Sequence, residues 1–132
     1  MQVNALDHVN IVTADVPASA EFYQALLGFT PDPRMPWNPE RGAWLCDREG
    51  RPIVHLNNVA LDRPMDRAFV DGSETGAIHH VALNCTGYDE MIERLDRRGA
   101  SYETGSVARV GLRQIFTRDP NNVLLELNFA GD

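Results

Sequence analysis

Ile53-Val54-His55-Leu56-Asn57 and Leu124-Leu125-Glu126-Leu127-Asn128 read as one strand written twice, 71 residues apart. In each, apolar residues at the second and fourth places flank a metal-competent side chain, and an asparagine closes the run. Alternation of period two marks a half-buried strand. A second pair repeats almost in step: Leu6-Asp7-His8-Val9 lies over Ile78-His79-His80-Val81 at an offset of 72. Independent segments whose offsets agree to one residue indicate an internal duplication with a single gap.

The intervening sequence fits that reading. Residues 4–13 are rich in β-branched side chains and predict a strand. Asp15 caps a helix that Pro17 opens, with Phe22, Ala25, Leu26 and Phe29 at helical spacing and Gly28 as its stop. A connection holding Pro31, Pro33, Pro36 and Pro39 leads to strands at 43–47 and 52–58, joined through Asp47-Arg48-Glu49-Gly50. The second half follows the same order. A strand at 77–85 precedes a helix at 88–98, with Met91, Ile92 and Leu95 on one stripe and Gly99 past its end. Short strand 101–104 comes next, then strands 112–118 and 123–129 around Asp119-Pro120-Asn121-Asn122. The expected fold is α+β: two βαβββ modules, 1–58 and 77–132, within a single domain spanning 1–132. The polar loop between them, 59–76, has the length of a lid, a binding loop or a plain linker.

Composition excludes some partners. The 132 residues carry Lys+Arg 12 against Asp+Glu 19, a net charge of -7, with the basic residues scattered. That pattern argues against a nucleic-acid partner. No apolar run reaches the length of a membrane span, and the N-terminus lacks a basic start followed by an apolar stretch. A cytoplasmic protein is the expectation, with Cys46 and Cys85 as reduced core residues.

Strand alternation then selects candidate site residues. Val9 with Ile11, Val54 with Leu56, Val81 with Leu83, and Leu125 with Leu127 form apolar faces suited to packing under a helix. The opposite faces carry His8, His55, His80 and Glu126, with Asn10, Asn57, Asn84 and Asn128 further along. If the sheets curl so that these faces meet, three imidazoles and a carboxylate converge. Such groups fill a core poorly unless paired or bound to something. Together they suit one divalent ion (Zn, Mn, Fe(II), Ni or Co), and the lack of thiolates argues against a structural cysteine site. Asn10, Asn57 and Asn84 are candidate substrate contacts. Trp44, Phe116 and Trp37 are candidates for an apolar wall, and Arg113 for an anionic substrate group. His79 falls off the pattern and is read as non-ligating.

Asp7-His8-Val9, His80-Val81-Ala82-Leu83, the run Arg118-Asp119-Pro120-Asn121-Asn122-Val123-Leu124-Leu125-Glu126-Leu127 and the paired modules together resemble the vicinal oxygen chelate superfamily. That group includes glyoxalase I, bleomycin-resistance proteins, methylmalonyl-CoA epimerase, fosfomycin-resistance transferases and extradiol dioxygenases. The resemblance implies a cupped, partly open mixed sheet around a metal that takes two vicinal oxygens of a small substrate, and a homodimer. It maps the ligand positions onto His8, His55, His80 and Glu126. Where glyoxalase I has Glu and the epimerase Gln, this chain has His55. Glu126 then becomes the carboxylate available as base, and His55 either a fourth ligand or an acid–base group. The implied activity is of isomerase or lyase type. An Fe(II) extradiol dioxygenase and a non-catalytic antibiotic-binding protein are the alternatives.

Overall fold

A computed structural model describes residues 1–35, 38–61, 72–73, 75 and 76–131. The chain divides into two compact units, Met1–Asp71 and Gly72–Asp132. Among the described residues each has one α-helix and a four-stranded mixed sheet, with a short 3-10 helix, Ala108–Val110, added in the second, so both modules are βαβββ.

The first unit holds β1 (Val9–Thr13), α1 (Val16–Leu27), β2 (Thr30–Pro31), β3 (Gly42–Cys46) and β4 (Pro52–Asn58), in the sheet order β1-β4-β3-β2. The second holds β5 (Val81–Cys85), α2 (Tyr88–Arg98), β6 (Tyr102–Val107), β7 (Leu112–Arg118) and β8 (Leu124–Ala130), in the order β5-β8-β7-β6. In each, the first strand runs parallel to the last and the other pairings are antiparallel. The helix between the first two strands supplies the crossover that this topology requires.

Helix α1 begins where expected: the Asp15 carboxylate accepts the Ala18 amide at 2.9 Å. It ends at Gly28, in the left-handed region at φ 73°. The Gly28 amide donates to Gln24 and the Phe29 amide to Tyr23. Phe29 is thus past the helix, its ring 5.8 Å from Tyr23 as the apolar contact that accompanies such a cap. Ala25, expected on the core stripe, is exposed, while Val16, Ala20, Phe22, Tyr23 and Leu26 are buried. Helix α1 packs on β3 and β4, over Ala43, Leu45, Val54 and Leu56. Helix α2 buries Met91 and Leu95, and its Tyr88 meets Phe129 of β8 edge to face at 5.3 Å. Ile115, Leu125, Leu127 and Phe129 complete that core. Burying each such side chain contributes about 1.5–3 kcal/mol.

The strands differ from expectation in three respects. Their ends move: β1 starts at Val9 rather than residue 4, β5 at Val81 rather than 77, and β6 runs to Val107 rather than 104. β2, a two-residue edge strand ending in Pro31, lies in the stretch expected to be only a connection. Proline is tolerated there because an edge strand has a side without ladder bonds. The third concerns the one-residue gap in the repeat. Leu45 pairs with Val54 but Cys46 with Pro52, so Ile53 is extra in β4. In the second unit Thr117 pairs with Leu125 and Arg118 with Leu124 without interruption. The change of offset from 72 to 71 is therefore this β-bulge. The bulge does not set where β1 starts: β5 begins at the equivalent residue, Val81, beside the unbulged β8.

Candidate functional site

The strand registers show that the duplication preserves the geometry of the ligand candidates. Asn10 of β1 stands opposite His55, and His8 lies two residues before it. Ala82 of β5 stands opposite Glu126, and His80 lies two residues before it. Trp44 is paired with His55 as Phe116 is with Glu126. Within each unit, then, two candidate ligands share one face at matching positions, away from the helix.

In the first unit the group is aromatic. The His55 ring stacks on Trp44 at 3.9 Å with 12° between planes, and His8 meets Trp44 edge-on at 4.7 Å. The two imidazole centroids are 6.1 Å apart. His55 Nδ1 accepts the Asn10 amide at 3.0 Å and, more weakly, the Asn57 amide at 3.4 Å. With Nδ1 accepting, the ring proton is on Nε2. An asparagine that turns its oxygen to Nδ1 instead frees the Nε2 lone pair, since the side chain carries both a donor and an acceptor. Burial pushes the His55 pKa below its usual value and the neighbouring His8 adds to this, so the ring is neutral at pH 7. His8 Nδ1 is bonded to the Asp7 carboxylate at 2.5 Å.

In the second unit the group is polar. His80 Nε2 is 3.2 Å from Glu126 Oε2. The other carboxylate oxygen, Oε1, accepts from Gln114 Nε2 and from Asn128 Nδ2, both at 2.9 Å. His79 Nδ1 is 3.0 Å from His80 Nδ1. If His79 donates, the His80 Nε2–H points to Glu126; if His80 donates, its Nε2 carries a lone pair. His79 therefore touches the candidate site through the His80 ring. Its sequence position beside the pattern did not suggest this, and Gln114 was missed altogether.

The donor chemistry fits a divalent cation. Two ligands on one ion, with bonds of about 2.1 Å at right angles, stand about 3 Å apart, and His80 Nε2 and Glu126 Oε2 are 3.2 Å apart. Within a unit the gathering stops at two. Among the described residues, no three His, Cys, Asp or Glu side chains form a group able to hold a metal.

The remaining candidates divide. Asn10, Asn57 and Trp44 surround His55 as described. Phe116 lies on the Glu126 face, beside Gly105, where an added Cβ would come 3.4 Å from its ring. Asn84 pairs in register with Asn128 and is exposed. Arg113 is the correction. It alternates to the opposite face from Gln114 and Phe116, with its guanidinium 3.4 Å over the Tyr88 ring and 3.3 Å from Asp89. Its place is the start of α2, away from Glu126, because an odd step along β7 reverses the face. Trp37 and most of the expected lid, 62–71 and 74, lie outside the described residues. No helix among the described residues is long and apolar enough to cross a membrane.

A family model for the Glyoxalase/Bleomycin resistance protein/Dioxygenase superfamily matches residues 5–127. The chain belongs to this superfamily. A glyoxalase-superfamily relative, Glyoxylase I 4 of Arabidopsis thaliana, is 25% identical over 130 residues, covering 96% of this chain and 71% of its own length. A glyoxylase/bleomycin resistance protein/dioxygenase domain from Frankia sp. EAN1pec superposes with a TM-score of 0.73 at 18% identity, covering 99% of this chain and 95% of that one. Lactoylglutathione lyase from Agrobacterium tumefaciens does so with a TM-score of 0.67 at 16% identity, covering 97% and 95%. At such identities the two structures establish the shared glyoxalase-type fold.

Proposed function

We propose that the chain is a divalent-metal-dependent enzyme of isomerase or lyase type, with His8, His55, His80 and Glu126 as protein ligands. Its substrate is a small molecule with vicinal oxygens, residues 1–132 serve as one functional domain, and the assembly is a homodimer. The observation that carries this reading is the His80–Glu126 pair: an imidazole nitrogen and a carboxylate oxygen at ligand–ligand spacing, with the second carboxylate oxygen occupied by amides. The family relationship, and the name of the Agrobacterium tumefaciens protein, support the reaction class.

Bound by these residues, a divalent cation would supply Lewis acidity toward substrate oxygens. Glu126 would accept and return a proton at Oε2, the oxygen not committed to Gln114 and Asn128. His55, neutral at pH 7, would serve as a ligand through Nε2 or hold a proton there, according to how Asn10 and Asn57 present their amides. Trp44 and Phe116 would form the apolar wall, with Asn84 among the polar contacts.

Elemental analysis of untagged protein purified without added metal tests the reading. The parent is expected to carry about one equivalent per chain, and the His80→Ala, Glu126→Ala double variant none. Zinc or nickel directs assays to isomerase and lyase substrates. Iron directs them to oxygen uptake with catechols and favours the dioxygenase alternative. No metal in either protein, even after reconstitution, overturns the enzyme and leaves a small-molecule-binding resistance protein. Independently, Glu126→Gln is expected to lower turnover by at least about a hundredfold; unchanged turnover rejects the base role.

A further inference from the structure

We infer that Gln114 is a positioning residue that reserves one oxygen of Glu126, Oε2, for the ion or proton the site handles. The inference rests on the metal-site reading above. Its geometry is a closed triangle of three side chains on one face of β7 and β8. Gln114 Nε2 donates to Glu126 Oε1 at 2.9 Å and to Asn128 Oδ1 at 3.0 Å, and Asn128 Nδ2 donates to the same Oε1 at 2.9 Å. A carboxylate oxygen has two lone pairs in the carboxylate plane, and both at Oε1 are taken. Whatever Glu126 binds next, it binds through Oε2, the oxygen 3.2 Å from His80 Nε2.

The duplication supplies an internal control. Asn128 has a counterpart in Asn57, which likewise lies two residues after the ligand candidate and reaches its side chain. Gln114 has none: the residue opposite Asn57 is Gly42, as Gln114 is opposite Asn128. Thus the shared asparagine accompanies either ligand type, and the glutamine occurs only where the ligand is a carboxylate. At His55 the other amide is Asn10 of β1, whose counterpart opposite Glu126 is Ala82, so the second donor comes from β1 in the first unit and from β7 in the second. Gly105, opposite Gln114 on β6, lies beside the amide: an added Cβ there would stand in ordinary contact with Gln114 Oε1, at 3.5 Å.

The test uses full-length protein and cobalt(II), with affinity read by competition against a chromophoric chelator and coordination read from the visible spectrum. Gln114→Met, which keeps the length of the side chain but lacks the amide, is expected to weaken cobalt binding by about tenfold to a hundredfold. Its spectrum is expected to change, because a released Glu126 can swing to bind through both oxygens. Gln114→Asn, which stays polar but falls short, is expected to act in the same direction. It also serves if the methionine variant does not fold. Cobalt affinity and spectrum unchanged in a folded Gln114 variant, while Glu126→Gln abolishes binding, overturn the positioning role and leave the metal site standing. Cobalt binding that survives in Glu126→Gln overturns the metal-site reading, and this inference with it. A merely structural role predicts a lower unfolding midpoint with the cobalt spectrum intact, and that result also overturns it.

Discussion

Asp47 and Asp119 occupy matching positions in the two β-hairpin turns. Asp47 Oδ1 accepts the amides of Glu49 and Arg51 at 2.9 Å, and Asp119 Oδ1 those of Asn121 and Val123 at 2.8 Å. The fourth residue of each turn has positive φ, Gly50 at 76° and Asn122 at 66°, the residue types that tolerate it. At Asp47, burial pushes the carboxyl pKa up, but hydrogen bonds from the Arg51 and Glu49 backbones and the Arg51 guanidinium outweigh it. The result lies below the ordinary 3.8. A carboxyl with a lowered folded pKa contributes stability that is complete above the unfolded value and is lost as pH falls through the folded one. Asp47→Ala is therefore expected to cost about 2 kcal/mol at pH 7 and measurably less at pH 3, by urea unfolding. An equal gap at the two pH values would refute the linkage. At this scale the sequence was legible wherever parity alone decides, which is why His55 and Glu126 were found on the faces opposite Val54, Leu56, Leu125 and Leu127. Gln114 was not legible, because its meaning comes from the residue opposite it on β8. Arg113 was misplaced for want of the same parity count.

The elements carry the gap in the repeat. Residues 4–8 have strand composition, yet β1 starts at Val9 just as β5 starts at the equivalent Val81, although only the neighbour of β1 is bulged, at Ile53. Pro52, next to that bulge, has no N–H to lose from the ladder. Deleting Ile53 gives the first hairpin the length of the second, and Trp44 would remain opposite His55. Such a variant is expected to fold, to retain the near-ultraviolet signature of the stacked Trp44, and to unfold within about 3 kcal/mol of the parent. Loss of that signature would show that the bulge itself sets the register. Helix α2, by contrast, was read from the sequence to its ends. Its stripe of Met91 and Leu95, its acidic first turn (Asp89, Glu90) and its basic last turn (Arg97, Arg98) all agree with one another.

For the molecule as a whole, a ligand that binds the folded chain and not the unfolded one must stabilise it. If the metal-site reading holds, a divalent ion at a hundredfold its Kd is expected to raise the unfolding free energy by about 2.7 kcal/mol. A chelator should reverse the gain, and Glu126→Gln should show none. A parent whose melting temperature does not respond to Zn, Mn, Ni or Fe(II) would count against the site.

The sequence by itself determined the duplication, the βαβββ unit and the faces that carry His8, His55, His80 and Glu126. These follow from periodicity and composition, which are local and survive without knowledge of neighbours. Only the tertiary structure decided where the strands begin, that the gap is a bulge at Ile53, that Arg113 stacks on Tyr88, and that Gln114 and Asn128 together hold Oε1 of Glu126. Those facts depend on which residue stands opposite which across a sheet, and register is set by pairing between segments distant in the chain.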